Sequence, residues 1–370
     1  MAYIVDGESL DWRVDITVDK NKVDANLTNK ELYVDLAGLD NNFWNNVKSD
    51  GGDIRATLSD STTRVPVELK NFNSATKVGQ LYLKVSTISA SVDTKVYIYW
   101  GNATLTQPLA NTTYGSENVW DANSKLVAHL EESGSGSADE FKDSSANANH
   151  GQGGGGTATK SPAQAQFKSG NGQDFDGTND HINFGNASSI DPGGALTLEC
   201  FVRLDVNNAH QVFFIRSNSG GTGLSYEFRL DNQGKILIDL RANSGTASAW
   251  TGTTVLSTAT DYHLAVTWDG TTTGAGNVNL YINGTVDETF DKTSALSQNA
   301  SSNVTVGAMD NSTNYNPLNG KIDEARISNI DRSAAWIKAT YENFNNTAGF
   351  YTIGSYAQSL AERAYATIID

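Results

Sequence analysis

Apolar and polar residues alternate along most of this chain, in short runs separated by turn-forming residues. In the first run, Trp12, Val14, Ile16 and Val18 alternate with polar positions. A period of two predicts a β-strand with one buried face. Further predicted strands lie at 32–36, 54–58, 65–69, 81–85, 96–100, 182–184, 196–204, 213–215, 226–230, 236–240, 262–268 and 278–282. Short, regularly spaced strands with little helical periodicity predict a β-sandwich or barrel.

The segment 318–328, LNGKIDEARIS, is predicted to be the strand that closes the last sandwich. It begins with an Asn-Gly turn. Side chains of a regular strand alternate between its two faces. Alternation places Ile322, Glu324, Arg326 and Ser328 on one face and Asp323, Ala325 and Ile327 on the other. The adjacent Asp323 and Glu324 are therefore expected to point in opposite directions.

One helix is predicted near the C-terminus. Residues 331–333, Asp-Arg-Ser, are typical of a capped helix start. Apolar and aromatic residues then recur at helical spacing up to Phe344, and residues 350–353 predict a short strand. Residues 1–9 are expected to form an N-terminal arm. The tail, 356–370, ends in apolar residues and is expected to dock on another subunit.

The first part of the chain resembles the domain-of-unknown-function 2341 family over roughly residues 10–118. The resemblance rests on the segments WRVDI at 12–16, DGGDIR at 50–55, VPVEL at 65–69, LYLKV at 81–85 and TKVYIYWGN at 94–102. This family recurs in surface and phage proteins, commonly before a laminin-G-like domain. The resemblance implies a small β-sandwich and no known chemistry.

The second part resembles a concanavalin-A-like jelly roll of the laminin-G-like type over roughly residues 119–355. Its segments are FDGTNDHINFG at 175–185, LTLECFVRL at 196–204, YHLAVTWDG at 262–270, VNLYINGT at 278–285 and LNGKIDEARIS at 318–328. The expected fold class is therefore all-β: a small β-sandwich followed by a jelly roll, with one short C-terminal helix.

Charge narrows the range of partners. The 42 acidic and 26 basic residues give a formal net charge of −16. Without a basic cluster, duplex nucleic acid and anionic membrane surfaces are excluded as expected partners, and no apolar run is long enough for membrane insertion. The single cysteine, Cys200, allows no internal disulfide. The N-terminal segment lacks the basic and apolar regions of a signal peptide.

A structural calcium ion is a candidate cofactor. Asp139, Glu140 and Asp143 lie in one polar loop, and Asp323 begins the closing strand. Calcium prefers several carboxylate and carbonyl oxygens. Related jelly rolls often hold calcium between an N-terminal loop and the final strand, and the resemblance implies Asp143 and Asp323 as the matching ligands. The alternative is that Asp143 caps a turn and Asp323 makes a local hydrogen bond.

No catalytic residues are predicted. Glycoside hydrolysis needs two carboxylates about 5–10 Å apart. Hydrolases of the concanavalin-A class usually carry a Glu-x-Asp-x-Glu-like series along one strand, and this chain has none. Glu199 stands alone in its strand, and Asp323 and Glu324 are expected on opposite faces.

Sugar binding is the remaining site chemistry. Jelly-roll lectins hold sugars with aromatic rings and Asn or Asp side chains on loops. The loop-region candidates are Tyr226, Trp250, Tyr315 and Asn311–Asn316. For each of them a structural role in the core is the alternative.

These features predict a non-enzymatic structural and adhesive protein of a bacteriophage virion that binds surface carbohydrate. A tail fibre, a tail-tip adhesin and a head decoration all fit. The expected partners are other virion or surface proteins in an oligomer and a cell-surface glycan, and the expected location is the virion surface. The alternative is a secreted bacterial carbohydrate-binding or adhesion protein at the cell surface, and a glycoside hydrolase comes third.

Overall fold

The computed structural model of the chain describes residues 2–191, 193–218, 223–242, 248–309 and 316–359. Its contacts divide these residues into two compact units. The first unit contains residues up to Asp121 together with those from Ala339 onward, and the second contains Ala122–Lys338.

The first unit begins with ten elements. They are β1 (Tyr3–Val5), β2 (Glu8–Leu10), β3 (Trp12–Val18), β4 (Leu27–Asp35), the single-turn helix α1 (Asn41–Trp44), β5 (Arg55–Leu58), β6 (Arg64–Val65), β7 (Val67–Asn73), β8 (Val78–Ile88) and β9 (Thr94–Trp100). Strands β4, β8 and β7 form a three-stranded sheet, and β3, β9, β5 and β6 lie side by side in a second sheet. Strand β3 buries Val14, Ile16 and Val18, as its alternation predicts.

The second unit contains fifteen strands among the residues that the structure describes. They are β10 (Ser124–Ala128), β11 (Gln152–Gly153), β12 (Ala163–Phe167), β13 (Gly170–Asp176), β14 (Ile182–Asn183), β15 (Leu196–Leu204), β16 (Gln211–Ser217), β17 (Tyr226–Leu230), β18 (Lys235–Leu240), β19 (Ala249–Val255), β20 (Asp261–Trp268), β21 (Val278–Ile282), β22 (Thr285–Phe290), β23 (Asn303–Val306) and β24 (Asn319–Ser328).

Two antiparallel sheets enclose one large apolar core in this unit. The eight-stranded sheet has the order β12-β13-β24-β15-β20-β21-β22, with β10 also paired to β24. The seven-stranded sheet has the order β11-β14-β23-β16-β17-β18-β19. The core receives residues from both sheets, including Cys200 and Trp268 of the eight-stranded sheet. The sequence therefore correctly predicted the all-β class and the jelly roll.

The chain returns to the first unit after β24. Helix α2 (Ala334–Asn345) and the single-turn helix α3 (Thr347–Phe350) precede β25 (Tyr351–Ile353) and β26 (Ala357–Gln358). The predicted cap at the start of α2 is present, since the Trp336 N–H donates to the Ser333 hydroxyl at 3.3 Å. No helix in the described part of the chain is long and apolar enough to span a bilayer.

The C-terminal segment is hydrogen-bonded to the first unit, so the boundary between the units lies earlier in the chain than expected. The Asn343 side chain exchanges two hydrogen bonds with the backbone of Tyr33, at 2.8 and 2.9 Å, and Phe344 stacks on the Tyr33 ring. Strands β25 and β26 both pair with β3. The jelly roll was expected to extend to residue 355, whereas the contacts end the second unit at Lys338.

Candidate functional site

Asp143, the first predicted calcium ligand, organises a turn in the polar loop. Its Oδ1 accepts hydrogen bonds from the Val127 and Ser145 N–H groups, both at 2.9 Å. Its Oδ2 accepts from the Ser145 hydroxyl and the Asn149 N–H, both at 2.8 Å. The carboxylate is buried, and both of its oxygens already accept two hydrogen bonds. This is the turn-capping arrangement that was the alternative to metal binding.

Asp323, the second predicted ligand, is fully buried in β24. Its Oδ2 accepts hydrogen bonds from the N–H and the hydroxyl of Ser169, at 2.8 and 3.1 Å. Its Oδ1 has no hydrogen-bond partner among the described residues. Asp143 and Asp323 therefore share no partner.

The surroundings of the Asp143 and Asp323 carboxylates do not fit a calcium ion held by both residues. Calcium takes six to eight oxygen ligands. Within the described ranges, no group of three or more His, Cys, Asp or Glu side chains could hold a metal ion. Among the four carboxylate oxygens of Asp143 and Asp323, only Oδ1 of Asp323 accepts no hydrogen bond from the described residues. Calcium binding by Asp143 and Asp323 remains a prediction from the sequence, without support from their contacts.

A β-bulge changes the direction of the acidic pair in β24. Phe201 of β15 lies opposite Asp323, and Glu199 lies opposite Arg326. Two steps along β15 therefore correspond to three along β24, which leaves one extra residue in β24. Glu324 has a φ of +54°, a left-handed conformation that absorbs this residue. The prediction of strict alternation was wrong here: Asp323 and Glu324 both reach the Ser169 hydroxyl, each at 3.1 Å.

Glu324 is the centre of a buried ionic cluster. Its Oε1 lies 2.7 Å from Nδ1 of His129, and its Oε2 accepts from Nη2 of Arg326 at 2.6 Å. Burial and the neighbouring charge of Glu324 raise the pKa of the Asp323 carboxyl well above its usual value. Glu324 and Arg326 thus form a buried ion pair. The cluster is a buried network of hydrogen bonds and ion pairs. Within it, the neutral form of the Asp323 carboxyl is favoured.

A second carboxylate pair lies on the seven-stranded sheet. Glu227 of β17 is directly opposite Asp239 of β18 in the antiparallel register. Their strand neighbours Tyr226, Phe228 and Ile238 belong to the core, so both carboxylates lie on the face turned away from it. Directly opposed residues have Cβ atoms about 4.5–5.5 Å apart, and like charges in such positions repel.

Two arginines compensate this repulsion. Nε of Arg229 lies 3.4 Å from Oε2 of Glu227, and Nε of Arg241 lies 3.0 Å from Oδ2 of Asp239. Burial raises the pKa of Glu227, although the Arg229 charge acts in the opposite direction. Asn316 also donates to Oε1 of Glu227, at 3.5 Å. We name these four charged residues, Glu227, Arg229, Asp239 and Arg241, the charged stripe.

The sequence contains a signal for the charged stripe, although it is spread over two strands. In YEFRL at 226–230 and KILIDL at 235–240, the charged residues alternate with apolar ones. The intervening turn at Asp231–Gly234 fixes the hairpin register that brings Glu227 and Asp239 together. A search for acidic residues along one strand cannot find a pair that is assembled across two strands.

Two of the predicted sugar-binding aromatics, Tyr226 and Trp250, lie in strands and are not loop platforms. Tyr226 lies within β17 and is completely buried. Trp250 lies in β19, where it packs against the core and stacks on Phe290 with ring centroids 6.0 Å apart. Residues 311–315, which include Tyr315, lie outside the described residues. Asn316, the last of the predicted Asn-rich segment, contacts the charged stripe.

We expect Asp323→Asn to stabilise the protein at neutral pH. Because the folded state holds the proton of Asp323 more tightly than the unfolded chain does, wild-type stability falls as pH rises above the usual aspartate pKa of about 4. The variant cannot ionise, so its advantage should grow between about pH 4 and pH 8. Urea denaturation at several pH values measures this. Asp261→Asn, at a partly exposed carboxylate, is the control, and a variant less stable than wild type throughout contradicts the prediction.

We expect Asp143→Ala to lower the free energy of unfolding by about 2–4 kcal/mol, because it leaves three backbone N–H groups without their acceptor. The loss should be equal with added calcium and with excess chelator, as measured by urea denaturation. Asp139→Asn, an exposed residue of the same loop, should change stability by less than about 0.5 kcal/mol. A chelator-dependent loss would instead support the calcium prediction.

Two known families match the chain, one in its first part and one in its second. The family described as domain of unknown function DUF2341 matches residues 50–124. The family Laminin_G_3, described as the concanavalin A-like lectin/glucanases superfamily, matches residues 176–338. The order of the two matches is the tandem that the sequence predicted. No curated protein sequence matches the chain.

Several solved structures are similar to part of the chain. Domain 4 of AbnA, a GH43 extracellular arabinanase from Geobacillus stearothermophilus, in complex with arabinotriose, is 20% identical, with 57% of this chain and 98% of that chain covered and a TM-score of 0.42. The Ruminococcus gnavus IT-sialidase CBM40 bound to α2,3-sialyllactose is 17% identical, with 40% and 82% covered and a TM-score of 0.35.

The binding domain of Paraclostridial Mosquitocidal Protein 1 is 12% identical, with a TM-score of 0.45. The match covers 60% of this chain and 52% of that chain, so this chain spans about half the length of that protein. Likenesses at these identities and scores assign no ligand and no activity. The domain assignment rests on the two family matches and on the two-sheet architecture of the second unit. The chain carries a DUF2341 domain followed by a laminin-G-like domain of the concanavalin A-like lectin/glucanase superfamily.

Proposed function

We propose that the laminin-G-like domain binds surface carbohydrate at the charged stripe. The observation that carries the proposal is the direct opposition of Glu227 and Asp239 on the face of the seven-stranded sheet away from the core. Carboxylate oxygens accept hydrogen bonds from sugar hydroxyls, and guanidinium groups donate to hydroxyl and ring oxygens. A lectin/glucanase superfamily match to this domain supports a sugar as the ligand.

The ion pairs make the charged stripe suitable for binding. Each arginine lies two residues after its acidic partner, Arg229 within β17 and Arg241 directly after β18, and Glu227 and Asp239 themselves lie on paired strands. Polar groups that are already oriented lose little conformational freedom when a ligand binds. The side chain of Arg241 is 36% exposed and that of Asp239 is 7% exposed, so the arginine is the more accessible group. An uncharged sugar suits an acidic protein with a net charge of −16.

The proposed role is binding without turnover. The two carboxylates each carry an arginine partner, and the Arg229 charge opposes the rise that burial causes in the pKa of Glu227. Glycoside hydrolysis requires one carboxyl group to act as a proton donor. Two carboxylates that are each engaged by an arginine are suited to binding a sugar through hydrogen bonds.

The proposed setting is the surface of a bacteriophage virion, as a tail fibre, tail-tip adhesin or head decoration. The tandem of two β-sandwich units and the acidic composition support a surface role. Repeated copies of a weak sugar site gain avidity when several can bind at once. An oligomer with other virion proteins provides such repetition, and a secreted adhesion protein is the alternative outcome.

We expect wild-type protein to bind at least one neutral glycan on an array. Isothermal titration should then show that Glu227→Gln and Asp239→Asn each weaken binding about tenfold or more, since a hydrogen bond to a charged acceptor is lost. Asp261→Asn, which breaks the Arg203 ion pair on the other sheet, is the matched control and should bind as wild type does. No binding to any glycan, or unchanged binding by both variants, contradicts the proposal. Release of reducing sugar by wild type but not by Glu227→Gln would show an enzyme.

We expect the purified chain to form trimers or larger assemblies in light scattering after size exclusion. Mass spectrometry of purified particles from a strain that carries the gene should find the chain in the particle fraction. A strict monomer that is recovered only in the culture supernatant would contradict the virion assignment and favour a secreted adhesion protein. Sugar binding by such a monomer would leave the first proposal intact.

A further inference from the structure

The DUF2341 domain has its own face of charged and aromatic residues, which is separate from the charged stripe. Strand β3 buries Val14, Ile16 and Val18, so Arg13 and Asp15 lie on the opposite side of the sheet. The register pairs Arg13 with Tyr99 and Asp15 with Tyr97 of β9. Arg13 and Tyr97 are therefore diagonal neighbours on this face.

Arg13 is held between two tyrosine rings. Its guanidinium carbon lies 4.7 Å from the ring centroid of Tyr3 and 4.6 Å from that of Tyr97. Tyr3 is itself packed edge-to-face on Tyr99, with centroids 5.8 Å apart. Stacking on two rings fixes the plane of the guanidinium and leaves its N–H groups along the edges. We name Tyr3, Arg13 and Tyr97 the arginine clamp.

The positive charge of Arg13 is not neutralised by a carboxylate in the described chain. Its one hydrogen bond there runs from Nη1 to the Ser61 hydroxyl, at 3.3 Å. The acidic residue on the same face, Asp15, pairs instead with Nζ of Lys95 at 2.8 Å. Arg13 is half-buried, and so are both clamp rings. In a chain with a net charge of −16, a pre-oriented arginine without an acidic partner is suited to an external anion.

The groups around the clamp favour an anion that is part of a sugar. Hydroxyls of Ser61 and Thr17 lie on or beside this face, and they can exchange hydrogen bonds with sugar hydroxyls. The half-exposed ring of Tyr97 offers an apolar edge for sugar C–H groups. A polyanion such as nucleic acid would be repelled by the acidic chain, whereas a single carboxylate on an otherwise neutral ring is tolerated.

We propose that Arg13, held between Tyr3 and Tyr97, binds the carboxylate of an acidic sugar such as a uronic acid. The planar guanidinium edge matches the two oxygens of a carboxylate, so a bidentate contact forms without rearrangement of the side chain. This gives the DUF2341 domain a ligand class of its own. The site does not depend on sugar binding at the charged stripe.

The test is isothermal titration of the full chain, in phosphate-free buffer, with trigalacturonic acid and with its fully methyl-esterified form. We expect the acid to bind, and the ester to bind about tenfold more weakly or not at all, because esterification removes the charged partner of Arg13. Arg13→Gln should weaken acid binding by about tenfold or more. Arg13→Lys keeps the charge and the aliphatic stem but lacks the planar fork, so a smaller loss is expected.

The matched control is Arg203→Gln. Arg203 also lies over an aromatic ring, at 5.5 Å from the centroid of Phe167, but it already has a carboxylate partner in Asp261. Its substitution and Glu227→Gln should both leave acid binding unchanged, which separates this proposal from the one above. Thermal unfolding of each variant verifies its fold, and Arg13→Lys supplies the comparison if Arg13→Gln unfolds.

Three results would overturn the proposal. The first is no binding of the acid by wild type. The second is equal binding of acid and ester, or wild-type affinity in folded Arg13→Gln. The third is inorganic phosphate that binds as tightly as trigalacturonic acid and displaces it, since that would show a general anion site and not a sugar site.

Discussion

The backbone pairing of β24 is the constraint on which the laminin-G-like domain depends. One edge of this strand pairs with β15 along most of its length. On the other edge, residues 319–322 pair with β13 and residues 325–328 pair with β10, apart from a register shift near Ser124. Asp323 and Glu324 lie at the change of partner, and the bulge is located there. A single strand thus joins three others, and the extra residue accommodates the change from β13 to β10.

This junction explains the buried acidic pair. The bulge turns both side chains toward Ser169, which directly precedes β13, and toward His129, which directly follows β10. Buried charged groups need partners, and here the residues at the ends of the two strands provide them. The pair that first suggested a metal site is therefore explained by sheet construction. By contrast, Glu227 and Asp239 of the charged stripe lie where β17 and β18 pair without a register shift.

The two domains present arginine in different ways. In the charged stripe, Arg229 and Arg241 are paired with carboxylates, so the surface is rich in both donors and acceptors with little net charge. In the arginine clamp, Arg13 is paired with aromatic rings and keeps its positive charge for an external group. Guanidinium groups serve both purposes because they are planar, permanently charged and able to stack. The first arrangement suits a neutral sugar and the second an acidic one.

The sequence by itself determined the elements of this protein. Alternation located the strands, including β3 and β15, because a half-buried strand leaves a period of two in the sequence. Helical spacing and a serine cap located α2. The family resemblance gave the order of the two modules. Local patterns encode these features, since each depends on residues that are close along the chain.

Only the tertiary structure decided which residues meet. Glu227 and Asp239 are twelve positions apart and become neighbours through the register of a hairpin. The return of β25 and β26 to β3 assigned the C-terminal segment to the first domain, because an open strand edge there was available for pairing. The direction of the Glu324 side chain depended on a bulge in the pairing of β24 with β15, a strand that is distant in sequence. Alternation along one strand cannot reveal such a bulge, because its cause lies in the pairing of distant strands.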